Sequence, residues 1–178
     1  MTRIVLIFGL ISGAIAAGLM WMLVAVVRTG GIDFDNGMIW GYSTMIIALS
    51  MVFFGIKSYR DNHGGRISFF KGLQVGLLIS LISGLCYAAS WELYYTGSGQ
   101  EFIQKYNAHY LEKMKASGAS EADVEKARTE SEQFMEMYKN FYVRFPVTLM
   151  EILPVGIIVT LISAALLRKR ALLPAEPA

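Results

Sequence analysis

The chain has 178 residues with a formal net charge of +2, and it is 54% hydrophobic with only 17% charged residues. Soluble domains run at about 45–50% apolar and about 25% charged, so a mean hydropathy of +0.46 points to a membrane protein, and the near-neutral balance gives no basic surface for nucleic acid. The lone Cys86 excludes an intramolecular disulfide and a cysteine-based metal cluster.

Four apolar runs of 19 to 24 residues follow one another: Ile4 to Val27, Met38 to Ile56, Leu73 to Tyr95 and Phe145 to Leu167. As helices they reach ~28–36 Å, enough for a hydrocarbon core of about 30 Å. The first run follows Arg3 and contains Ala14-Ile15-Ala16, a cleavage-like signature. It continues well past the ~7–15 residues of a signal-peptide core, so a retained anchor is expected.

Gly30 to Gly37 reads as a turn, because its glycines, aspartates and Asn36 accept positive φ and cap local backbone. Its Asp33, Asp35 and Asn36 invite a calcium reading. That reading fails on spacing, since Gly37 comes one place early and the twelfth position is Thr44 rather than Glu. No metal or other cofactor is expected. The next loop holds Lys57, Arg60, Arg66 and Lys71 beside Gly64-Gly65, with Ile67, Phe69 and Phe70 able to dip into the interface. Such a surface suits a lipid-phosphate headgroup.

In the third run Ser68, Gly72, Gly76, Ser80, Gly84 and Ala88 recur every four residues, and Glu92 is the next step. Small residues at that spacing form a ridge on which another helix packs closely, placing the third helix at the bundle centre. Gly9, Gly13 and Ala17 repeat the device in the first run. Beyond it, residues 96–144 hold 15 of the 30 charged residues. Phe102, Ile103, Tyr106, Tyr110, Leu111 and Met114 form one helical stripe, Ser117-Gly118 a C-cap and Ser120 with Asp123 an N-cap. A second helix to about Lys139 carries Phe134, Met135, Tyr138 and Phe141. Pro146 fits the first turn of the fourth span. The expected fold is all-α: one polytopic domain over residues 1–178, with four transmembrane helices and an extramembrane helical hairpin, residues 96–144, between the third and fourth.

Several runs, Gly41-Tyr42-Ser43-Thr44-Met45-Ile46-Ile47, Gly55-Ile56-Lys57-Ser58-Tyr59-Arg60-Asp61, Ile67-Ser68-Phe69, Lys115-Ala116-Ser117-Gly118-Ala119-Ser120 and Glu151-Ile152-Leu153-Pro154-Val155-Gly156, resemble the bacterial membrane proteins of domain-of-unknown-function family 4199. The resemblance covers nearly the whole chain. It implies a four-span bacterial inner-membrane protein and supplies no assigned catalytic or binding residues.

Glu92 and Glu151 are the only charged residues within the four runs. A charged side chain at mid-membrane costs about 2.5–3.5 kcal/mol on insertion scales. Both are expected in the outer leaflet at ~5–9 Å depth, either as a carboxylate pair sharing one site or hydrated among Trp91, Tyr94, Tyr95 and Tyr142. His63 and His109 fall on opposite sides and no nucleophile, zinc or phosphate-loop motif occurs, so no enzyme is expected. The leading expectation is an accessory or scaffold subunit that engages protein or lipid through the hairpin, with membrane lipids, self-association or a protein partner. The alternatives are an ion- or proton-responsive, transporter-like protein using Glu92 and Glu151, and headgroup binding at Lys57, Arg60, Arg66 and Lys71.

Orientation follows from flanking charge. With both termini inside, Arg3, Lys57, Arg60, Arg66, Lys71, Arg168, Lys169 and Arg170 are cytoplasmic, against Arg28 alone in the short outer loop. An impermeant thiol reagent should therefore label Ser120→Cys in intact cells, whereas labelling only after lysis would invert the topology.

Overall fold

The computed structural model describes residues 1–168, so Lys169 and Arg170, counted above for orientation, lie outside the described residues. The chain folds as α1 (Thr2–Arg28), α2 (Phe34–Asp61), α3 (Phe69–Tyr94), a π-helical turn (Tyr95–Gly99), α4 (Gln100–Ala116), α5 (Glu121–Tyr138) and α6 (Phe141–Leu167). Among the described residues there is no strand. Four helical stretches are long and apolar enough to cross a membrane.

Local chemistry sets the ends. The Ser68 hydroxyl accepts from the Lys71 amide, Ser120 from Asp123 and the Asn140 side chain from Tyr142, starting α3, α5 and α6. Gly118 closes α4 at φ +84°, a conformation that costs a glycine little. Two boundaries differ from expectation. The turn after α1 is tighter, because Asp33 starts α2 and leaves Asp35, Asn36 and Gly37 helical. Pro146 is not in the first turn of α6, because the Asn140 cap starts that helix well before it. Pro146 and Pro154 therefore remove amide donors from the carbonyls of Tyr142 and Met150, and both of those residues are exposed on the outer surface of the bundle.

The helices pack α1, α2, α6, α3 around a core that includes Leu49, Val52, Ile56, Val75, Ile79 and Ile152, all fully buried. Lipid is as apolar as these side chains, so close approach rather than water exclusion must hold such helices together. A Cβ on Gly76 would stand 2.5 Å from Thr160 Cγ2, one on Gly156 2.8 Å from Ser80 Cβ, and one on Gly72 3.1 Å from Ala164 Cβ. The steps of four on α3 thus meet steps of four on α6, running antiparallel. On the other side α1 lies parallel to α3, with Gly9 against Ile82 and Gly13 against Cys86. The Ser12 hydroxyl donates to the Ala48 carbonyl at 2.8 Å and lies 2.9 Å from Ser83 Oγ, tying three helices at one point.

α3 does not stop at the expected membrane boundary. It runs through the π turn into α4 as one 48-residue helical rod, and α5 returns to α6. One extra residue in a π turn rotates everything beyond it relative to the α-helical track, which re-aims the α4 stripe.

The packing makes a sharp distinction among glycines. Gly76→Leu or Gly13→Leu should lower the melting temperature in detergent, overpacking costing about 1–3 kcal/mol, whereas Gly18→Leu, with nothing within 4 Å of a Cβ, should leave it unchanged. Equal melting for all three would refute the close-packed seams.

Candidate functional site

Where the α3 ridge reaches Glu92, the antiparallel α6 presents Arg144. The Arg144 Nε donates to Glu92 Oε1 and Oε2 at 2.9 and 3.1 Å, and Nη2 donates to Oε2. Its Nη1 donates to the carbonyls of Tyr138 and Lys139 at 3.0 and 2.9 Å, the orphan acceptors at the C-terminus of α5, where a cation is favoured. The guanidinium also stacks 3.8 Å over the Tyr95 ring. Arg144 is only 5% exposed, yet a charge and all its principal donors are matched.

A hydrogen-bonded chain extends from this pair. The Trp91 indole donates to the Tyr138 oxygen at 2.9 Å, and Thr148 donates to the Arg144 carbonyl at 3.0 Å. Thr148 then has only lone pairs left for Tyr138, 3.3 Å away, so Tyr138 is the donor there. Burial pushes the Tyr138 phenol above its ordinary range, which keeps that proton in place.

Below and beside this network the helices splay and leave a cavity of about 460 Å³. Its walls are Met20 and Val24 from α1, Tyr42 and Met45 from α2, Tyr87 and Trp91 from α3, and Val147 and Glu151 from α6. The hairpin closes over it with Ile103 and Tyr106 from α4 and Phe134 and Tyr138 from α5. Two further lining residues, Gly37 and Gly41, would meet nothing within 4 Å if given a Cβ. The space exists partly because those two positions carry no side chain. Glu151 is the one carboxylate in the wall; it is exposed, and has the Tyr87 hydroxyl beside it.

A clasp holds the hairpin down. Phe34 at the start of α2 packs against the rings of Phe102, Tyr106 and His109, while Asp35 accepts from His109 Nε2 at 2.9 Å and pairs with Lys113 at 2.8 Å. The α4 stripe is therefore turned towards α2 and the cavity.

A family model described as protein of unknown function (DUF4199) matches residues 5–169. The chain belongs to the DUF4199 family. No curated protein and no solved structure matches it.

In this DUF4199 protein Glu92 and Glu151 have different partners and different surroundings, so they do not form a carboxylate pair. Similar depth was expected because both lie near the outer ends of their spans, but α3 has no end there, and Glu92 sits level with Arg144, two turns of α6 away from Glu151. Trp91, Tyr94 and Tyr95 are drawn inward, and only Tyr142 of the expected belt is fully exposed. At the other end of the bundle, Arg60 is buried with its Nε on Asp61 at 2.9 Å, Lys57 pairs with the same carboxylate, and Lys71 donates to Gln74. Arg66 is the one of that set that is exposed, with no ion-pair partner among the described residues. His63 Nδ1 lies 2.7 Å from the Tyr59 carbonyl, far from the hairpin's His109.

Sequence reasoning missed Arg144, assigned to the loop, and Tyr87, which lies unremarked within the third apolar run. A signal for Arg144 existed: it lies four residues before Thr148 on a track that continues through Ile152, Gly156, Thr160 and Ala164.

Because the pair is buried, removing one partner strands the other. Arg144→Met should destabilise the fold by about 3–5 kcal/mol, and Glu92→Leu combined with Arg144→Met should recover much of that loss. Additive effects in the double mutant, measured by denaturation in detergent, would show that the two residues do not interact.

Proposed function

We propose that this DUF4199 protein is a non-enzymatic membrane protein that holds an amphiphilic molecule in the cavity under its hairpin, with the hairpin on the outer face of a bacterial inner membrane and both termini cytoplasmic. The cavity carries the reading. Its size falls within the roughly 300–1,000 Å³ of small-molecule sites, and an apolar lining with a few convergent polar groups is the usual composition of such sites. Here the convergent groups are Glu151, Tyr87, Tyr42 and Asn107.

The hairpin supports the same conclusion. Had its apolar stripe faced outward, a protein partner would be needed to cover it. Phe102, Ile103 and Phe134 line the cavity, which suits the hairpin to capping a small molecule, although Tyr110 and Phe141 of the same stripes stay exposed. Catalysis has little to work with: Glu151 has Tyr87 beside it and no histidine, cysteine or second carboxylate in the same wall. The basic residues flanking the spans support the orientation.

Filling the space tests the proposal without disturbing the seams. Gly41→Phe projects a ring into the cavity from a position where a Cβ meets nothing, so the folded protein should melt as the parent does. Native mass spectrometry from membrane nanodiscs should show an amphiphile retained by the parent and lost from the variant. Equal retention by both would overturn the cavity as the binding site.

A further inference from the structure

Glu151 poses a problem that the fold leaves open. It is exposed in an apolar and aromatic wall within a helix apolar enough to cross a membrane, and a carboxylate at such a depth needs a counter-charge or several donors. Among the described residues no arginine, lysine or histidine lines the cavity, and several cations of the hairpin end have partners of their own. Arg144 spends its donors on Glu92 and two carbonyls, Lys113 and His109 are on Asp35, Lys139 is on Glu136 and Lys105 on Glu101. The groups facing Glu151 across the cavity are Tyr42 and Thr44 from α2, Tyr87 and Trp91 from α3, Asn107 from α4 and Tyr138 from α5, and none is a cation. What the cavity offers is one carboxylate without a counter-ion among several aromatic rings.

Resting on the amphiphile-binding reading, we propose that the occupant is a single-chain amphiphile with an ammonium head, the head meeting Glu151 among the rings of Tyr42, Tyr87 and Trp91 and the chain lying along Met20, Val24 and Met45. An ammonium is attracted both by a carboxylate and by aromatic faces, the two features this wall combines. An anionic head would be repelled by Glu151. A zwitterionic phospholipid would bring a phosphate beside that carboxylate with no arginine or lysine in the described cavity lining to receive it. The cavity volume of about 460 Å³ also lies in the small-ligand range rather than the size of a two-chain lipid.

The test uses the full chain in phosphatidylglycerol nanodiscs, with empty nanodiscs subtracted to remove simple partitioning. Dodecyltrimethylammonium should bind about tenfold or more tightly than dodecanol, a ratio expected of one charge-assisted contact with aromatic support. Glu151→Gln, which keeps the side chain's size, should erase that preference while still binding dodecanol, and Gly41→Phe should abolish binding of both. Equal affinity for the two probes in the parent would overturn the ammonium assignment and leave the amphiphile site standing. Undiminished binding of both by Gly41→Phe would overturn the site itself. Competition by phosphatidylethanolamine added to the nanodiscs would overturn the single-chain assignment in favour of a membrane lipid.

Discussion

The rest of the molecule depends on the seam between α3 and α6. Two antiparallel helices in an apolar solvent gain nothing from excluding water, so their contact has to come from backbones brought close enough for many weak dispersion contacts and for hydroxyls to reach across. Gly72, Gly76 and Gly156 give that approach, and the Ser80 hydroxyl, 3.3 Å from Thr160 Oγ1, adds a polar tie within it. The same track then ends on a different kind of contact, the Glu92–Arg144 pair. A ridge of small residues fixes how near the helices lie, and the ion pair fixes their axial register, since a slip of one turn would strand two buried charges.

That register has a consequence beyond the bundle. Arg144 also caps the last carbonyls of α5, so the residue that ends the seam also anchors the returning arm of the hairpin. The outgoing arm is anchored differently, by the continuity of α3 through the π turn and by the clasp at Phe34 and Asp35. With both arms fixed, the hairpin roofs a space that the seam cannot fill. The small-residue contacts that pull α3 and α6 together leave α2 to be spaced by Tyr42, Met45 and Tyr87, and at Gly37 and Gly41 α2 has no side chains to close the gap. Tight packing in one half of the bundle and open volume in the other are thus two results of where the glycines fall.

Most of the fold was legible because membrane helices leave strong one-dimensional signals. Run length gave the four spans, the spacing of Gly72, Gly76, Ser80 and Gly84 gave a packing face, and Ser117-Gly118 with Ser120 gave the hairpin tip. What escaped the sequence depended on three-dimensional juxtaposition. The partner of Glu92 was hidden because Arg144 lies just outside the apolar window by which spans are recognised, although its four-residue relation to Thr148 was present. Pro146 misled because proline is welcome in a first turn, while the true start was set by a single asparagine cap. The π turn has no sharp sequence signature. Thr96, Gly97, Ser98 and Gly99 read equally well as a break between helices, whereas Tyr94 and Tyr95 are held there by Trp91, Tyr138 and the Arg144 guanidinium.

The two membrane glutamates show why residue type alone is a poor guide to role. Each stands alone in an apolar run, and by insertion cost they are equivalent. Their environments separate them. Glu92 is matched by a guanidinium and serves the architecture, so substituting it should be felt as lost stability, whatever the protein binds. Glu151 faces the cavity with one hydroxyl beside it and no charge opposite, an arrangement that gives the folded protein little and holds an unspent attraction in the space the hairpin encloses. A carboxylate with no counter-charge among the described residues is the group through which a second molecule gains most by arriving, which directs the candidate function to Glu151 rather than to the Glu92–Arg144 pair.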